Sequence, residues 1–567
     1  MTAAGRTQQE PTSTFQIDRS LQTLAGRAAA WSQLPLAARI EHLRTILRRT
    51  AEVGPDLVRA AGAAKGGGFE GEDWVGGVAI QGRTVRALLA TLEGIGSGGR
   101  VPIDAADVSV RPDGRVVVEV TPMDRWDRLL FPGWRGEVWM EEGVSLDDLD
   151  ANLGSFYTKG GVARPGVAAV LGAGNVASIT PLDALHMLFV EGKATIVKFN
   201  PVNDYIGPYF ERVFGDRLEK GFVRCCYGGA EVGAYLVSHP MVDQVHVTGS
   251  AATHDAIVFG PGSEGAAAKA RHEPRLTKTI TSELGNVSPV IVVPGEWKER
   301  DLRFQAEHLA TQMKQNEGFN CNAAKVIVLH EGWGQKEAFL AALRRELGAL
   351  AGRPAYYPGA FERWESFVAS HPDVEFLGPI GDGIIPATLL VGLDPSADHL
   401  AFSQESFCAV SATTELGGDD AAEFLGRAVA FCNERLDGTL NATIIIDPVT
   451  AAEAGEAVDA AVDGLRYGAI GVNIWGGALY ALGTTVWGGY PGAALADIGS
   501  GIGFVHNGRL VDHPQKSVVW APFRQFPKPP WFVTHRNTNK AMRRFAEFET
   551  DPGPLTLARV ALASLRG

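Results

Sequence analysis

The stretch Val167-Ala168-Ala169-Val170-Leu171-Gly172-Ala173-Gly174-Asn175-Val176-Ala177 is an apolar run of five residues that runs into two glycines. Five uncharged residues without polar alternation predict a strand buried on both faces, and the glycines predict a tight turn out of it. The same signal returns at Ala194–Phe199, Phe222–Cys226 and Gln244–Thr248, with helically spaced segments between them at Leu182–Val190 and Tyr205–Phe214. Such strand–helix alternation predicts a parallel sheet with crossover helices. A second set starts at Val287–Val293 and continues through a helix stripe of Leu302, Ala306, Leu309 and Met313. It adds strands at Lys325–Leu329, Ala442–Asp447 and Gly468–Asn473. The expected fold class is α/β, with two parallel-sheet α/β domains bordering each other near Glu283–Gly285.

The turn at Gly172–Ala177 matches GxGxxA, a pattern whose glycines let backbone amides approach a pyrophosphate when an acidic residue closes the next strand. That strand ends Ile196-Val197-Lys198-Phe199-Asn200, with a lysine where the acid would stand. The reading as a Rossmann phosphate turn is weakened, and Asn175 needs another explanation.

Working outward, Arg19 to about Ala63 carries helical spacing (Leu21, Leu24, Ala28, Trp31, then Ile40, Leu43, Ile46, Leu47), and a further helical segment passes through Val85, Leu88, Leu89 and Leu92. Residues 1–15 are polar and are expected to lack regular structure. Arg115–Val120 and Gly136–Met140 read as extended strands joined by a polar, Trp-rich connection, either an ordinary hairpin or an arm that pairs with a neighbouring subunit. Beyond Phe504 the chain is rich in Pro and aromatics, then ends in a basic, helix-like piece containing Lys540, Arg543 and Arg544.

The 567 residues suffice for two to four domains. With 52 basic and 65 acidic residues the formal charge is −13, which repels polyphosphate and argues against general nucleic-acid binding. Glycine is over-represented, with 68 residues against a usual share of about 7%. The five cysteines, Cys225, Cys226, Cys321, Cys408 and Cys432, are too sparse for a disulfide framework and lack metal-ligand spacing, so no metal is expected. The N-terminal MTAAGRTQQEPTSTFQ has no apolar core of the signal-peptide kind, and a cytoplasmic location is expected. Tyr467 to Ala496 has no charged residue and is long enough to cross a bilayer, but its eight glycines, Asn473 and Pro491 predict strand, loop and pocket lining instead.

Four further pieces follow in order: Thr248-Gly249-Ser250 at a strand end, Ser282-Glu283-Leu284-Gly285-Asn286, Asn316-Glu317-Gly318-Phe319-Asn320-Cys321, and Gln404-Glu405-Ser406-Phe407. Together with Asn175 and Lys198, with His239-Pro240 before Asp243–Ser250, and with Trp487-Gly488-Gly489-Tyr490 near the end, this ordered set resembles the aldehyde dehydrogenase superfamily from about Trp31 to Gly492.

The resemblance implies an NAD(P)-dependent oxidation of an aldehyde to a carboxylic acid. Cys321 would be the nucleophile, a role suited to a thiol of lowered pKa. Asn175 would donate to the oxyanion and Glu283 would be the general base that releases the acid. Lys198 would contact the adenosine ribose, and Gly249 with Ser250 the pyrophosphate. Glu405 would hold the nicotinamide ribose with Phe407 beside it, and Gly229 and Gly233 would form a glycine turn near the cofactor. The cofactor is expected to be NAD or NADP, because the position three after Lys198 is Pro201 rather than the acid many relatives carry. The implied layout is a cofactor-binding domain (1–111 and 146–283), an oligomerisation arm of β-strands (112–145), a catalytic domain (284–503) and a C-terminal extension (504–567). A homodimer or homotetramer, a small-molecule aldehyde as partner, no nucleic acid and no membrane span complete the expectation.

The chain departs from the family at Gly172–Asn175, where a Pro-Trp-Asn motif is usual, and at Phe319-Asn320, where a glutamine commonly precedes the cysteine. These departures keep open a CoA-dependent acylating dehydrogenase or acyl-CoA reductase using the same cysteine, although Glu283 argues against it. A non-catalytic protein on the same fold is the third reading. Trp475, Tyr480, Trp487 and Phe319 suggest either an aromatic-lined pocket or plain core.

Overall fold

A computed structural model describes residues 9–158, 165–381 and 383–567. Two sheets organise the chain. The six-stranded sheet has the order Gly501–Ile502, Thr279–Leu284, Gln244–Gly249, Val167–Leu171, Ala194–Lys198, Val223–Cys226, and only the first of these is antiparallel to its neighbour. The strand order reverses between Val167–Leu171 and Gln244–Gly249. That reversal opens a crevice at the strands' carboxyl ends, where ligands of open α/β sheets lie.

The eleven-stranded sheet is parallel at its centre, through Pro514–Trp520, Ala469–Val472, Asn441–Ile445, Ser288–Val292, Ala324–His330, Val410–Leu416 and Ala387–Leu393. The chain leaves the first sheet at Leu284 and enters the second at Ser288. Apolar runs explain both: every residue of Val167–Leu171, Ala194–Lys198, Ser288–Val292 and Asn441–Ile445 is buried, as a parallel sheet covered on both faces requires.

Several elements differ from the sequence expectation. The single helical stretch from Arg19 is two helices, Thr14–Ser32 and Leu36–Lys65, because Pro35 has no N–H to continue the first ladder. The second stops at Gly66, whose φ of +97° suits glycine. Of the polar start over residues 1–15, residues 1–8 lie outside the described residues, and Ser13 caps the first helix with a reciprocal bond to Gln16. Strands Thr279–Leu284, Val410–Leu416 and Ala387–Leu393 are among the sheet strands not read from the sequence. They were hidden by polar residues that pair with neighbouring strands: Thr281 sits beside His246, and Ser411 Oγ donates to the Ala324 carbonyl at 2.7 Å.

The segments set apart as arm and extension are woven into the fold. Strands Val116–Thr121 and Arg135–Met140 pair with each other, and the latter pairs antiparallel with Pro514–Trp520, which in turn lies parallel to Ala469–Val472. Helix Thr538–Thr550 then packs back on the N-terminal helices through a buried ion cluster. Arg83 grips both oxygens of Asp127 at 2.8 Å and reaches Glu549 at 3.2 Å, while Arg86 reaches the other oxygen of Glu549 at 2.6 Å. Among the described residues no helix is long and apolar enough to cross a membrane, and Tyr467–Ala496 folds as the strand Ala469–Val472, the helix Gly477–Leu482 and loops.

Candidate active site

Cys321 follows a turn in which Asn316, Glu317 and Gly318 all have positive φ (+54°, +57° and +73°). Two consecutive non-glycine residues in this region hold strain that surrounding contacts must overdetermine. They do. The Asn316 side chain donates to the carbonyls of Asn175 and Phe319 at 3.3 and 3.2 Å and to Asn320 Oδ1 at 3.1 Å. Arg353 donates to Asn316 Oδ1 and to Glu72, each at 2.8 Å, the Tyr356 hydroxyl lies 3.0 Å from the same Asn316 oxygen, and Lys314 pairs with Glu317. Gly318 is irreplaceable by space as well, since a Cβ there would lie 2.6 Å from the Cys408 carbonyl carbon. Sequence reading found Asn316 in its motif but missed Glu72, Arg353 and Tyr356, which arrive from distant segments and carry no local signal.

The turn presents Cys321 half-buried on a cavity of about 700 Å³, which Asn175 and Asn316 also line. The glycines before Asn175 serve packing rather than phosphate. A Cβ on Gly172 would strike Thr180 Oγ1 at 2.1 Å, and one on Gly174 would strike Val202 at 2.7 Å. The Asn175 amide donates to the Phe319 carbonyl at 2.9 Å, which ties it to the cysteine loop.

The Cys321 thiol lies within the electrostatic reach of the Glu283 carboxylate, and Glu405 acts on it as a second acidic neighbour. Burial and these two carboxylates push the thiol well above its ordinary range, the reverse of the lowered pKa expected from sequence. Glu283 is buried at the end of its strand, accepts from the Trp487 indole at 3.1 Å, and is raised by burial to about 7. Glu405 is raised by burial, opposed by Lys325. Its carboxyl lies over Gly285, where a Cβ would come within 1.9 Å of Oε2, and its Oε1 is buried without a hydrogen-bond partner. Lys325, not picked out from sequence, is buried and donates to the Cys408 carbonyl at 2.9 Å. Cys225, Cys226, Cys408 and Cys432 are free thiols too.

Of the remaining sites, all but Phe407 lie at or just beyond the carboxyl ends of the six-stranded sheet. Lys198 ends its strand, buried, with no carboxylate paired to it among the described residues, and desolvation lowers its pKa. Gly249 ends the strand on the other side of Val167–Leu171. Ser250 caps the helix Ala251–Val258, accepting from Thr253 N at 3.2 Å. Gly229 precedes the helix Ala230–Ser238, which contains Gly233, and Cβ atoms on either would meet open space. Phe407, at φ +42°, stacks edge-on against Tyr357 and near Phe319. An unsatisfied buried carboxylate oxygen, an unpaired lysine, a helix N-terminus and open glycine backbone along one switch-point crevice fit a bound dinucleotide. Of the four aromatics, Trp475 and Tyr480 line the cavity, whereas Trp487 serves Glu283 and Phe319 is core.

Fold and site together define an α/β protein of two largely parallel sheets, with Glu283 near the end of a strand of the smaller and Cys321 just before a strand of the larger. Residues 158–356 match the sequence profile of the aldehyde dehydrogenase family. Peroxisomal aminoaldehyde dehydrogenase 1 of Malus domestica is 36% identical over 103 residues, covering 18% of this chain and 17% of that protein, so the aligned stretch spans less than a fifth of this relative. The aldehyde dehydrogenase of Mycobacterium tuberculosis complexed with NAD+ superposes with a TM-score of 0.63 at 16% identity, over 90% of this chain and 91% of that one. The glyceraldehyde-3-phosphate dehydrogenase of Methanocaldococcus jannaschii complexed with NADP gives 0.60 at 14% identity, over 90% and 95%. The chain has the fold of the aldehyde dehydrogenases, and residues 158–356 carry the sequence likeness to that family.

Proposed function

We propose that this protein oxidises an aldehyde to a carboxylic acid with NAD or NADP, through a covalent intermediate on Cys321. The observation that carries the reading is Cys321 on a cavity it shares with Asn175, within electrostatic reach of the buried Glu283 carboxylate that accepts from Trp487 and is raised to about 7. Because the thiol is neutral at rest, Glu283 takes its proton as sulfur attacks the aldehyde carbon, forming the C–S bond of a thiohemiacetal. Asn175 stands on the same cavity to donate to the developing oxyanion. NAD or NADP, when bound, supplies the acceptor for the hydride that leaves this carbon. Lys198, Gly249, Ser250 and Glu405 would hold it, with Gly229, Gly233 and Phe407 along its path. A thioester then remains on Cys321. Glu283, having passed its proton to solvent, draws one from water so that hydroxide adds and the carboxylic acid departs.

Retention of a buried glutamate beside the sulfur supports hydrolytic release over transfer to CoA. The test is NADH or NADPH formation from aldehyde, with and without CoA, for the wild-type chain and Cys321→Ala. Full activity in Cys321→Ala would overturn the mechanism, and a strict need for CoA would favour the acylating relative.

A further inference from the structure

The cavity at Cys321 has a wall that the nucleophile's own domain does not build. Trp475 Nε1 donates to the carbonyl of Asn322, next to the cysteine, at 2.7 Å, and Trp531 packs on Trp475 with ring centroids 6.2 Å apart. From Trp531 the lining continues through Met542, Phe545, Leu557, Val560 and Leu565, all from the C-terminal segment. Val75, Ile80, Leu130, Phe131 and Trp134 line the cavity too, Phe131 lying edge-on to Phe545 with ring centroids 6.2 Å apart. A volume of about 700 Å³ is that of a site for a sizeable organic molecule rather than a two- or three-carbon one.

The charged groups in the wall are already engaged. Lys65 pairs with Asp73 at 3.1 Å, Glu72 with Arg353 at 2.8 Å, and Arg83 is shared by Asp127, Glu549 and the Leu482 carbonyl. One oxygen of Asp73 lacks a partner, but an ammonium group seated there would share its carboxylate with the Lys65 cation. Around the mouth, Leu129, Phe526 and Leu565 are 63%, 85% and 59% exposed. Exposed large apolar residues clustered at one opening mark an entrance for apolar material.

We infer that the cavity selects an uncharged aldehyde with a long apolar body, and that the C-terminal helix Pro554–Ser564 sets this preference. The inference rests on the aldehyde-oxidising reading above for its chemistry, and on the cavity alone for its selectivity. Each methylene that enters the apolar wall then raises kcat/KM about fourfold until the cavity is filled.

The experiment is a kcat/KM series on the full chain from propanal to decanal, with 4-aminobutanal and succinic semialdehyde as charged comparators, each with NAD and with NADP. Calorimetric binding of 1-propanol and 1-decanol runs alongside. The expected result is a steep rise with chain length, charged comparators below decanal, and decanol binding more tightly than propanol. A flat series, or a charged comparator ahead of decanal, overturns the selectivity while the oxidation stands. Tight decanol binding without turnover of any aldehyde upholds the cavity and overturns the oxidation, and absence of decanol binding overturns the cavity. Ala561→Trp, an exposed position at the mouth on that helix, should lower the decanal-to-propanal ratio at least tenfold. An unchanged ratio removes the helix from the selectivity.

Discussion

The Trp487 indole N–H donates to Glu283 Oε1 at 3.1 Å across 204 residues of sequence. It is a hydrogen bond to the charged form of the carboxylate, and it opposes the burial that raises Glu283 to about 7. Loss of a bond to an ionised group costs about 1.5–3 kcal/mol, or roughly one to two pH units. In Trp487→Phe the ascending limb of the kcat/KM–pH profile should move up by about one unit or more. A limb that stays in place would mean that Glu283 is not the titrating base.

The sign for Glu283 follows from its raised pKa. The folded state holds a proton that the unfolded state has released between the ordinary glutamate value and about 7, so this group's contribution to stability falls as pH rises through that window. Catalysis runs the other way and needs the deprotonated form. Glu283→Gln should therefore lose the ascending limb and slow turnover about 100-fold or more, while being no less stable than wild type at pH 8. Thermal unfolding at pH 5 and pH 8 beside the rate profile checks both halves.

Gly318→Ala should lower both activity and stability. Its φ is +73° and the added methyl would overlap the Cys408 carbonyl carbon at 2.6 Å. The incompatible backbone conformation alone costs about 1 kcal/mol, and the steric overlap adds to it. A fall in Tm with kcat reduced more than KM is the expected pattern, because the displaced atoms lead directly into Cys321.

Glu549→Ala should unfasten the C-terminal helices. Removing one member of a buried ion cluster leaves Arg83 and Arg86 partly unpaired, a change that costs about 3–5 kcal/mol. The urea midpoint should drop accordingly, and limited proteolysis should cut after Trp520 earlier than in wild type.

Lys198→Ala should raise the KM for NAD or NADP with little effect on the acylation of Cys321 by a cofactor-independent thiol reagent. Lys198 stands at a strand end on the crevice, on a different strand from Glu283. Equal loss in both assays would point to a structural role.

Much of the fold was legible because its parallel strands are buried on both faces and so appear as unbroken apolar runs. Val167–Leu171, Ala194–Lys198 and Asn441–Ile445 need no distant information to be read. Thr279–Leu284 and Val410–Leu416 were missed because their hydroxyls are satisfied by neighbouring strands, which no local window contains. The order of Asn175, Glu283 and Cys321 was equally visible, as was the turn that carries the cysteine.

The sequence by itself determined the two-sheet α/β class, the residues on which the chemistry is proposed, and the glycine turn before Cys321. These depend on short-range periodicity and on backbone conformations that few residues tolerate. The tertiary structure alone decided that burial and two carboxyl groups push the Cys321 thiol upward, that Trp487 holds Glu283, and that the C-terminal segment enters the larger sheet and walls the cavity. Burial and electrostatic field are sums over groups far apart in the chain, so no stretch of sequence contains them until the fold brings those groups together.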